Sequence, residues 1–200
     1  MLKLDVFFPS VAAGDTAAAA MKLFANTRAL IIDLRQNGGG NGDMGELLSA
    51  YLFDEGGKSL SGFYSRPDDK LTQHATPYYV PGPRYGEAKP VFILTSRRTF
   101  SAAEAFAYDL QALRRVTVVG EATGGGAQPF EFSRLDDHFT LWLEKGRSIN
   151  PVTGGNWQGK GVQPDVPVPA DEAMGAALAL ARKAIGASST SGAGADSKAR

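Results

Sequence analysis

The sequence of 200 residues predicts an α/β fold in which helices flank a mostly parallel sheet. Short, almost wholly apolar segments of strand length alternate along the chain with longer segments that have the apolar spacing of helices. Such strands are typical of parallel sheets, because helices cover both faces of these sheets. Glycine-rich turns follow two of the strands, at Gly38–Gly40 and Gly124–Gly126. A chain of this length hides about 70% of its unfolded surface, so a single hydrophobic core can stabilise it without disulfides.

The composition is that of a globular domain, and it excludes several classes of function. Apolar residues make up 43% of the chain and charged residues 21%, which argues against disorder in its body. Lys plus Arg and Asp plus Glu both total 21, so we expect no general electrostatic binding to nucleic acid or to an anionic membrane. No apolar run approaches the roughly 20 residues that span a bilayer. Because the chain has no cysteine and only two histidines, we expect neither a metal site nor a cofactor.

The first half of the chain shows the alternation of strand and helix most clearly. Period-two patterns and apolar runs predict strands, and Asp, Ser or Thr before a periodic segment predicts the start of a helix. The predicted elements are a strand over residues 2–8, a helix capped by Asp15 or Thr16 that ends at Ala25, a strand over residues 29–34, a helix from Asp43 to Phe53, and a long connection with one hairpin over residues 55–89.

The second half continues the same alternation and then changes composition. Residues 1–185 are predicted to form the core domain, and residues 186–200, rich in Ser, Ala and Gly, to form a disordered tail. Because a strand begins at once with no signal peptide, we expect the chain to start inside a longer domain. The predicted elements are strands over residues 90–95, 116–119 and 139–143 and helices from Ala102 to Leu113 and from Ala170 to Ile185.

The first glycine turn follows Asp33, a residue flanked by apolar strand positions and expected to be buried and paired with Arg35 or with backbone N–H groups. Gly40, Gly42 and Gly45 spell the dinucleotide fingerprint G-x-G-x-x-G. The acidic residue that should end a second strand about 20 residues later is missing, which argues against nucleotide binding. Two interpretations remain: a tight turn that requires positive φ, or backbone N–H groups that approach an anion or an oxyanion.

Ser101 stands where a buried strand gives way to a helix. With Glu104 it forms the S-x-x-E pattern of a capping box, which explains both residues structurally. A serine at a helix N-terminus can also act as a nucleophile, because the N–H groups of the first turn favour developing negative charge. The second glycine turn, Gly124–Gly126, is either a plain loop or one wall of a cleft at the strand ends.

Four motifs in order resemble the C-terminal-processing (tail-specific) serine peptidases. They are residues 30–40 with the Asn-Gly-Gly-Gly turn, residues 94–104 around Ser101, residues 119–126 with the second glycine turn, and the Gly-Val-Gln-Pro-Asp of residues 161–165. The most similar branch is the one that includes tricorn protease and interphotoreceptor retinoid-binding protein. The resemblance implies a ClpP/crotonase-like α/β spiral core.

The same resemblance implies a set of site residues. Ser101 would be the nucleophile, and the oxyanion hole would consist of the N–H of Ala102 and one N–H from Gly38, Gly39 or Gly40. The substrate cleft would be formed by a further set: Gly124, Gly125, Gly126, Gln128 and Gln158.

The sequence departs from the family at the general base. A lysine serves as the base in the tail-processing branch and would fall at Gly126, so a Ser–Lys dyad is absent. In the tricorn-like branch the base is a histidine, expected upstream of residue 1. An acidic residue of that branch falls near Gln158, and many members carry histidine at the position of Gln128. His74 and His138 receive no catalytic assignment.

Two functions from different classes follow from the resemblance. The first is a serine-type endopeptidase core that acts on peptides or unfolded proteins, inactive in this chain alone because the base lies upstream. The alternative is a weak or inactive relative that binds apolar ligands or peptides; a crotonase-type acyl-CoA enzyme shares only the superfold. For the full-length protein, the resemblance suggests a periplasmic or secreted location.

Overall fold

A computed structural model of the chain describes residues 1–192. The strands are β1 (Leu2–Lys3), β2 (Leu30–Asp33), β3 (Ser59–Ser65), β4 (Lys70–Ala75), β5 (Val91–Thr95), β6 (Thr117–Gly120), β7 (Phe130–Arg134), β8 (Thr140–Glu144), β9 (Gly146–Ile149) and β10 (Val166–Pro167). The helices are α1 (Ser10–Phe24), α2 (Gly42–Tyr51), α3 (Ala102–Ala112) and α4 (Ala173–Gly192).

Five parallel strands form the central sheet, in the order β1-β2-β5-β6-β10. The middle strands β2 and β5 are buried at every residue, as their continuous apolar sequences predict. Because all strands run the same way, their carboxyl ends meet at one edge, and both glycine turns leave the sheet there. The predicted α/β fold, with helices around a mostly parallel sheet, is confirmed.

Helices cover the sheet on both faces, and the period of two along each strand divides the core. Ile32, Ile93 and Val118 belong to the larger apolar cluster, together with residues of α1, α2 and α3. The alternate positions of the same strands pack against α4, which presents alanines at intervals of one turn. This second cluster contains Ile31, Phe92, Leu94, Val119, Ala173, Ala177 and Ala181.

Two smaller sheets lie beside the core. β3 and β4 form the hairpin predicted within residues 55–89, and β9 extends it to three antiparallel strands, which the sequence did not indicate. β7 and β8 form a separate hairpin, of which only the second strand was predicted. No helix within the described residues is long and apolar enough to cross a membrane.

Several predicted boundaries are wrong. Helix α1 begins at Ser10 after Pro9 rather than at Asp15 or Thr16, and the carboxylate of Asp43 accepts the backbone N–H of Ser10 at 3.2 Å and its hydroxyl at 2.9 Å. The first strand ends at Lys3. At the other end, α4 continues past Ile185 to Gly192, so the beginning of the predicted tail is helical. The rest of that tail lies outside the described residues.

Candidate active site

Ser101 occupies a strained turn between the central strand β5 and helix α3. Its backbone angles are φ 54° and ψ −121°, a combination that residues with a side chain rarely adopt. Such outliers cost about 1–3 kcal/mol and persist only where the surrounding structure holds them. A sharp strand-to-helix turn also presents the nucleophilic serine of α/β-hydrolases, although their G-x-S-x-G sequence is absent here. The half-buried Ser101 is therefore held in a position that a helix cap alone does not require.

The carboxylate of Glu104 holds this turn in place. Glu104 is fully buried, and its Oε2 accepts the backbone N–H of Ser101 at 2.8 Å. Its other contacts lie on the second glycine turn: the Thr123 hydroxyl at 2.5 Å and the N–H of Gly125 at 2.6 Å on Oε1, and the N–H of Gly126 at 2.9 Å on Oε2. One side chain thus ties Ser101 to the loop after β6. The sequence predicts Glu104 only as a cap, so this second role was missed.

The Ser101 hydroxyl makes no hydrogen bond that caps α3 within the described residues. The pairing of a capping box is present, but only one of its two contacts has hydrogen-bond geometry. The carboxylate of Glu104 accepts from Ser101, whereas the N–H of Glu104 donates to the Ser101 carbonyl oxygen at 2.9 Å. The predicted capping box is therefore present, with its hydrogen bond on the Glu104 side. The hydroxyl itself stays available at the start of the helix.

The first glycine turn packs directly against Ser101. A Cβ on Gly39 would lie 2.8 Å from the Ser101 Cβ and 3.1 Å from the Ala102 nitrogen. A Cβ on Gly40 would overlap the carbonyl oxygen of Phe7. Their φ angles are 106° and 128°, which glycine adopts without steric cost. The turn therefore requires positive φ, as the first interpretation predicts, and it brings bare backbone next to a candidate nucleophile. The approach of its N–H groups to an oxyanion stays a prediction.

The hydrogen bonds separate the three glycines of this turn. The N–H of Gly39 donates to Oδ1 of the buried Asn37 at 2.8 Å, so it is already occupied. Within residues 1–192, the N–H groups of Gly38, Gly40 and Ala102 have no hydrogen-bond partner. An unpaired N–H at Ala102 is expected, because the first turn of a helix leaves its donors free. Three of the four predicted oxyanion donors are thus free to bind a ligand.

The residues matched by the family comparison include both glycine turns and Ser101. The sequence profile of peptidase family S41 matches residues 1–168. The chain belongs to peptidase family S41. This confirms the resemblance to C-terminal-processing peptidases, whereas the tricorn-like branch stays a prediction.

Solved structures with the same fold include other S41 peptidases. The photosystem II D1 C-terminal processing protease is 23% identical over 84% of this chain and 42% of its own, with a TM-score of 0.66. Mature CPAF in complex with lactacystin is 17% identical over 86% of this chain and 47% of its own, with a TM-score of 0.71. A lipoprotein from Streptococcus agalactiae is 18% identical over 90% of this chain and 65% of its own, with a TM-score of 0.67. This S41 chain therefore spans only part of the length of these proteins.

Most polar groups of the residues predicted for the substrate cleft are engaged in hydrogen bonds within the protein. The N–H groups of Gly125 and Gly126 are taken by Glu104, and that of Gly124 donates to the Thr99 carbonyl oxygen at 3.0 Å. The Gln158 Oε1 accepts the backbone N–H groups of Ala127 at 2.7 Å and Gln128 at 3.0 Å. The Gln128 Oε1 is buried, and no hydrogen-bond partner for it lies within the described part of the chain. The backbone N–H groups of these glycines and of Gln128 are therefore occupied, and they are not available to bind a substrate.

The two histidines lie in different environments. His138 is exposed in the turn between β7 and β8. His74 on β4 is half-buried, with its Nδ1 2.7 Å from Oε1 of Glu46 on α2. Neither forms a hydrogen bond with Ser101 in residues 1–192.

Asp33 supports the base of the first glycine turn. It is buried, and Arg35 contacts both of its oxygens, with Nε 2.9 Å from Oδ1 and Nη2 2.7 Å from Oδ2. Burial alone would raise the pKa of Asp33, but the hydrogen bonds and charge of Arg35 outweigh it and hold the pKa below its ordinary value. The predicted Asp33–Arg35 pairing is confirmed.

Proposed function

We propose that this S41 chain is the core domain of a serine-type endopeptidase, with Ser101 as its nucleophile. The observation that supports this most is the strained Ser101, whose hydroxyl is uncommitted and adjoins unpaired backbone N–H groups. An oxyanion needs such donors fixed in advance, since their orientation then costs nothing during the reaction. Family membership does not favour the alternative of a binding module for apolar ligands.

The proposed reaction proceeds by acyl transfer in two steps. The Ser101 oxygen bonds to the carbonyl carbon of the scissile peptide while a base takes its proton, and the carbonyl oxygen becomes an oxyanion. The N–H of Ala102 and that of Gly40 or Gly38 stabilise this charge. When the oxyanion collapses, the C–N bond breaks and the amine leaves with the proton. In the second step the base takes a proton from water, and the water oxygen attacks the ester on Ser101. The ester C–O bond breaks, the acid is released, and the Ser101 oxygen regains its proton.

The general base is proposed to come from a segment upstream of residue 1. Position 126 carries glycine where the tail-processing branch has its lysine, and the N–H of Gly126 is bound to Glu104. The nitrogen of His74 that faces α2 is committed to Glu46. The chain spans 42% of the D1 processing protease and 47% of CPAF, which leaves room for a base elsewhere in a longer protein.

Peptides or unfolded proteins are the proposed substrates, because the family consists of peptidases. We also propose a periplasmic or secreted location for the full-length protein, as the family resemblance implies. The similarity in fold to a protein described as a lipoprotein supports this.

The test compares the full-length protein with residues 1–200 alone, using a fluorophosphonate probe and a fluorogenic peptide mixture. We expect labelling and cleavage in the full-length protein and negligible signals from the short chain, because a serine without a base is a weak nucleophile. Ser101→Ala should abolish both signals in the full-length protein. Ser59→Ala, at an exposed serine of β3, is the matched control and should retain them. Cleavage that survives Ser101→Ala would overturn the proposal.

A further inference from the structure

A cavity of about 170 Å³ begins at Ala102, the residue after Ser101, and runs along helix α3. Ala102, Ala105, Phe106 and Asp109 line one side of it. Ala105 and Phe106 are each three or four residues from Ala102 and from Asp109, so the four side chains share one face of the helix. Gly42 and Gly45 of α2 and residues of β3 line the opposite side. A side chain that enters this cavity would therefore leave its own carbonyl group near Ser101.

The walls of the cavity are apolar, and its far end is acidic. Leu60, Phe63 and Trp157 contribute to the walls. Asp109, two turns from Ser101, lies at the far end with Glu46 and His74. Carboxylates at the end of an apolar channel match a side chain with an aliphatic stem and a cationic head.

Asp109 is buried but keeps capacity to accept one more hydrogen bond. Its Oδ1 accepts the Ser61 hydroxyl at 2.5 Å and the Asn150 side-chain amide at 2.8 Å. Its Oδ2 accepts only the backbone N–H of Ser61, at 3.0 Å, in the described part of the chain. Each carboxylate oxygen can accept about two hydrogen bonds. Burial also raises the pKa of Asp109, although the hydrogen bonds from Ser61 and Asn150 oppose this. A cation at this point would favour the ionised form.

The charges at the far end favour a cationic ligand. Glu46 and Asp109 contribute two carboxylates, and His74 adds at most one positive charge. The carboxylates outnumber the cations in either protonation state of the histidine. The indole N–H of Trp157, buried without a partner among residues 1–192, remains as a donor beside the cavity. A carbonyl oxygen of a bound peptide is the natural acceptor for such a donor.

The length of the cavity also suits a long side chain. Asp109 follows Ala102 by seven residues, a rise of about 10 Å along the helix axis. A lysine spans about 6 Å from Cα to Nζ, as judged from standard bond lengths. About 4 Å then remains between the lysine Nζ and the level of the Asp109 Cα. A hydrogen bond of roughly 3 Å and the Asp109 side chain, which leans toward the helix N-terminus, together span this distance.

We propose that this cavity is the specificity pocket for the residue whose carbonyl Ser101 attacks, and that it selects lysine or arginine through Asp109 and Glu46. This rests on the proposed peptidase function. Leucine or norleucine would fill the apolar walls, but the second acceptor position on Oδ2 of Asp109, beside the bond from Ser61, would stay unused. The acidic end thus favours lysine over norleucine, which has an aliphatic chain of similar length but no charge, as charged pockets of other peptidases do.

The experiment measures kcat/KM of the full-length protein on paired peptides that differ only at this residue, lysine against norleucine. We expect lysine to be preferred at least tenfold, a difference of about 1.4 kcal/mol in transition-state binding. Asp109→Asn should reduce the preference about tenfold, and Glu46→Gln less, because its side chain is about one-third exposed. Glu172→Gln, at an exposed site before α4, is the matched control and should leave the preference unchanged.

Equal kcat/KM for the two peptides in the wild type would overturn the proposed pocket. If Asp109→Asn does not fold, the wild-type ratio and Glu46→Gln decide the question. Binding of the same peptides to the Ser101→Ala protein separates the two proposals. A lysine preference in binding that depends on Asp109, without any cleavage by the wild type, would support the pocket and refute the peptidase function. Cleavage without a lysine preference would do the opposite.

Discussion

The two glycine turns look alike in sequence and differ in how the protein uses their backbone. Both follow a central strand and both contain three consecutive glycines. In Gly38–Gly40 the N–H groups of the first and third glycines have no partner within residues 1–192. In Gly124–Gly126 every N–H is bound, two of them by Glu104. The first turn thus keeps two N–H groups unpaired among these residues, whereas the second is a fixed support for Ser101.

Glu104 accounts for most of this difference, since it binds two of the three N–H groups of the second turn. Its carboxylate approaches the second turn and Ser101 at once, and no comparable acceptor faces Gly40 in the described structure. A buried carboxylate is stable only when several donors surround it. The glycines of the second turn supply these donors because a backbone without Cβ approaches closely. Two glycine runs of similar sequence can therefore differ in how many of their N–H groups are bound, and a neighbouring carboxylate causes much of that difference.

The largest expected effect comes from removal of Glu104. Glu104→Ala would leave the Thr123 hydroxyl and three backbone N–H groups buried without their acceptor. We expect a loss of about 3–5 kcal/mol in the free energy of unfolding, measured with urea. Glu121→Gln is the control, since the Glu121 carboxylate is partly exposed and its one hydrogen bond within the described residues is from the backbone N–H of Arg97 at 3.4 Å. It should cost less than about 0.5 kcal/mol. A small effect of Glu104→Ala would mean that the second turn does not need its anchor.

The next effect tests whether the first turn requires glycine for packing as well as for its donors. Gly40→Ala would force a positive φ on alanine and place its Cβ against the Phe7 carbonyl oxygen, so we expect a loss of about 3 kcal/mol in urea unfolding. Gly38→Ala meets nothing within 4 Å and should change stability by no more than about 0.5 kcal/mol. If the two variants were equally stable, the close approach of Gly40 to Phe7 would not matter to the fold.

The sequence predicts the central elements well because their signals are local. β2 and β5 are apolar at nearly every position, and Asp33 between apolar neighbours predicts its pairing with Arg35. The strand β9, by contrast, depends on pairing with β3, far away in the chain. Its sequence has no apolar alternation, so only the tertiary partner makes it a strand.

The candidate site shows the same limit. The position of Ser101 at a strand-to-helix junction follows from local pattern, and so does Glu104 as a cap. The second role of Glu104, and the use of the Gly39 N–H by Asn37, depend on segments that the chain brings together only when folded. The acidic end of the cavity likewise joins three separate elements, α2, α3 and β4. No spacing in the sequence indicates these contacts.

The smallest expected effect concerns acid stability at the base of the first turn. The pKa of Asp33 is lower in the folded state than its ordinary value of 3.8, because Arg35 favours the carboxylate. Asp33 therefore contributes stability above about pH 4, and this contribution disappears as the pH falls through the lower folded pKa. Asp33→Asn should cost about 1–2 kcal/mol at pH 7 and progressively less below pH 4, by urea unfolding at each pH.

Two comparisons make this last prediction specific. Asp109 has a raised pKa, so its contribution has the opposite sign: it is present at low pH and is lost as the pH rises through the folded pKa. Because Asp109 is unchanged in Asp33→Asn, the difference between that variant and the wild type isolates Asp33. Asp5→Asn, at an exposed carboxylate beside Lys3, should follow the wild type at every pH. If the difference in free energy of unfolding between the wild type and Asp33→Asn did not shrink on acidification, the pair with Arg35 would stabilise the fold through packing rather than through charge.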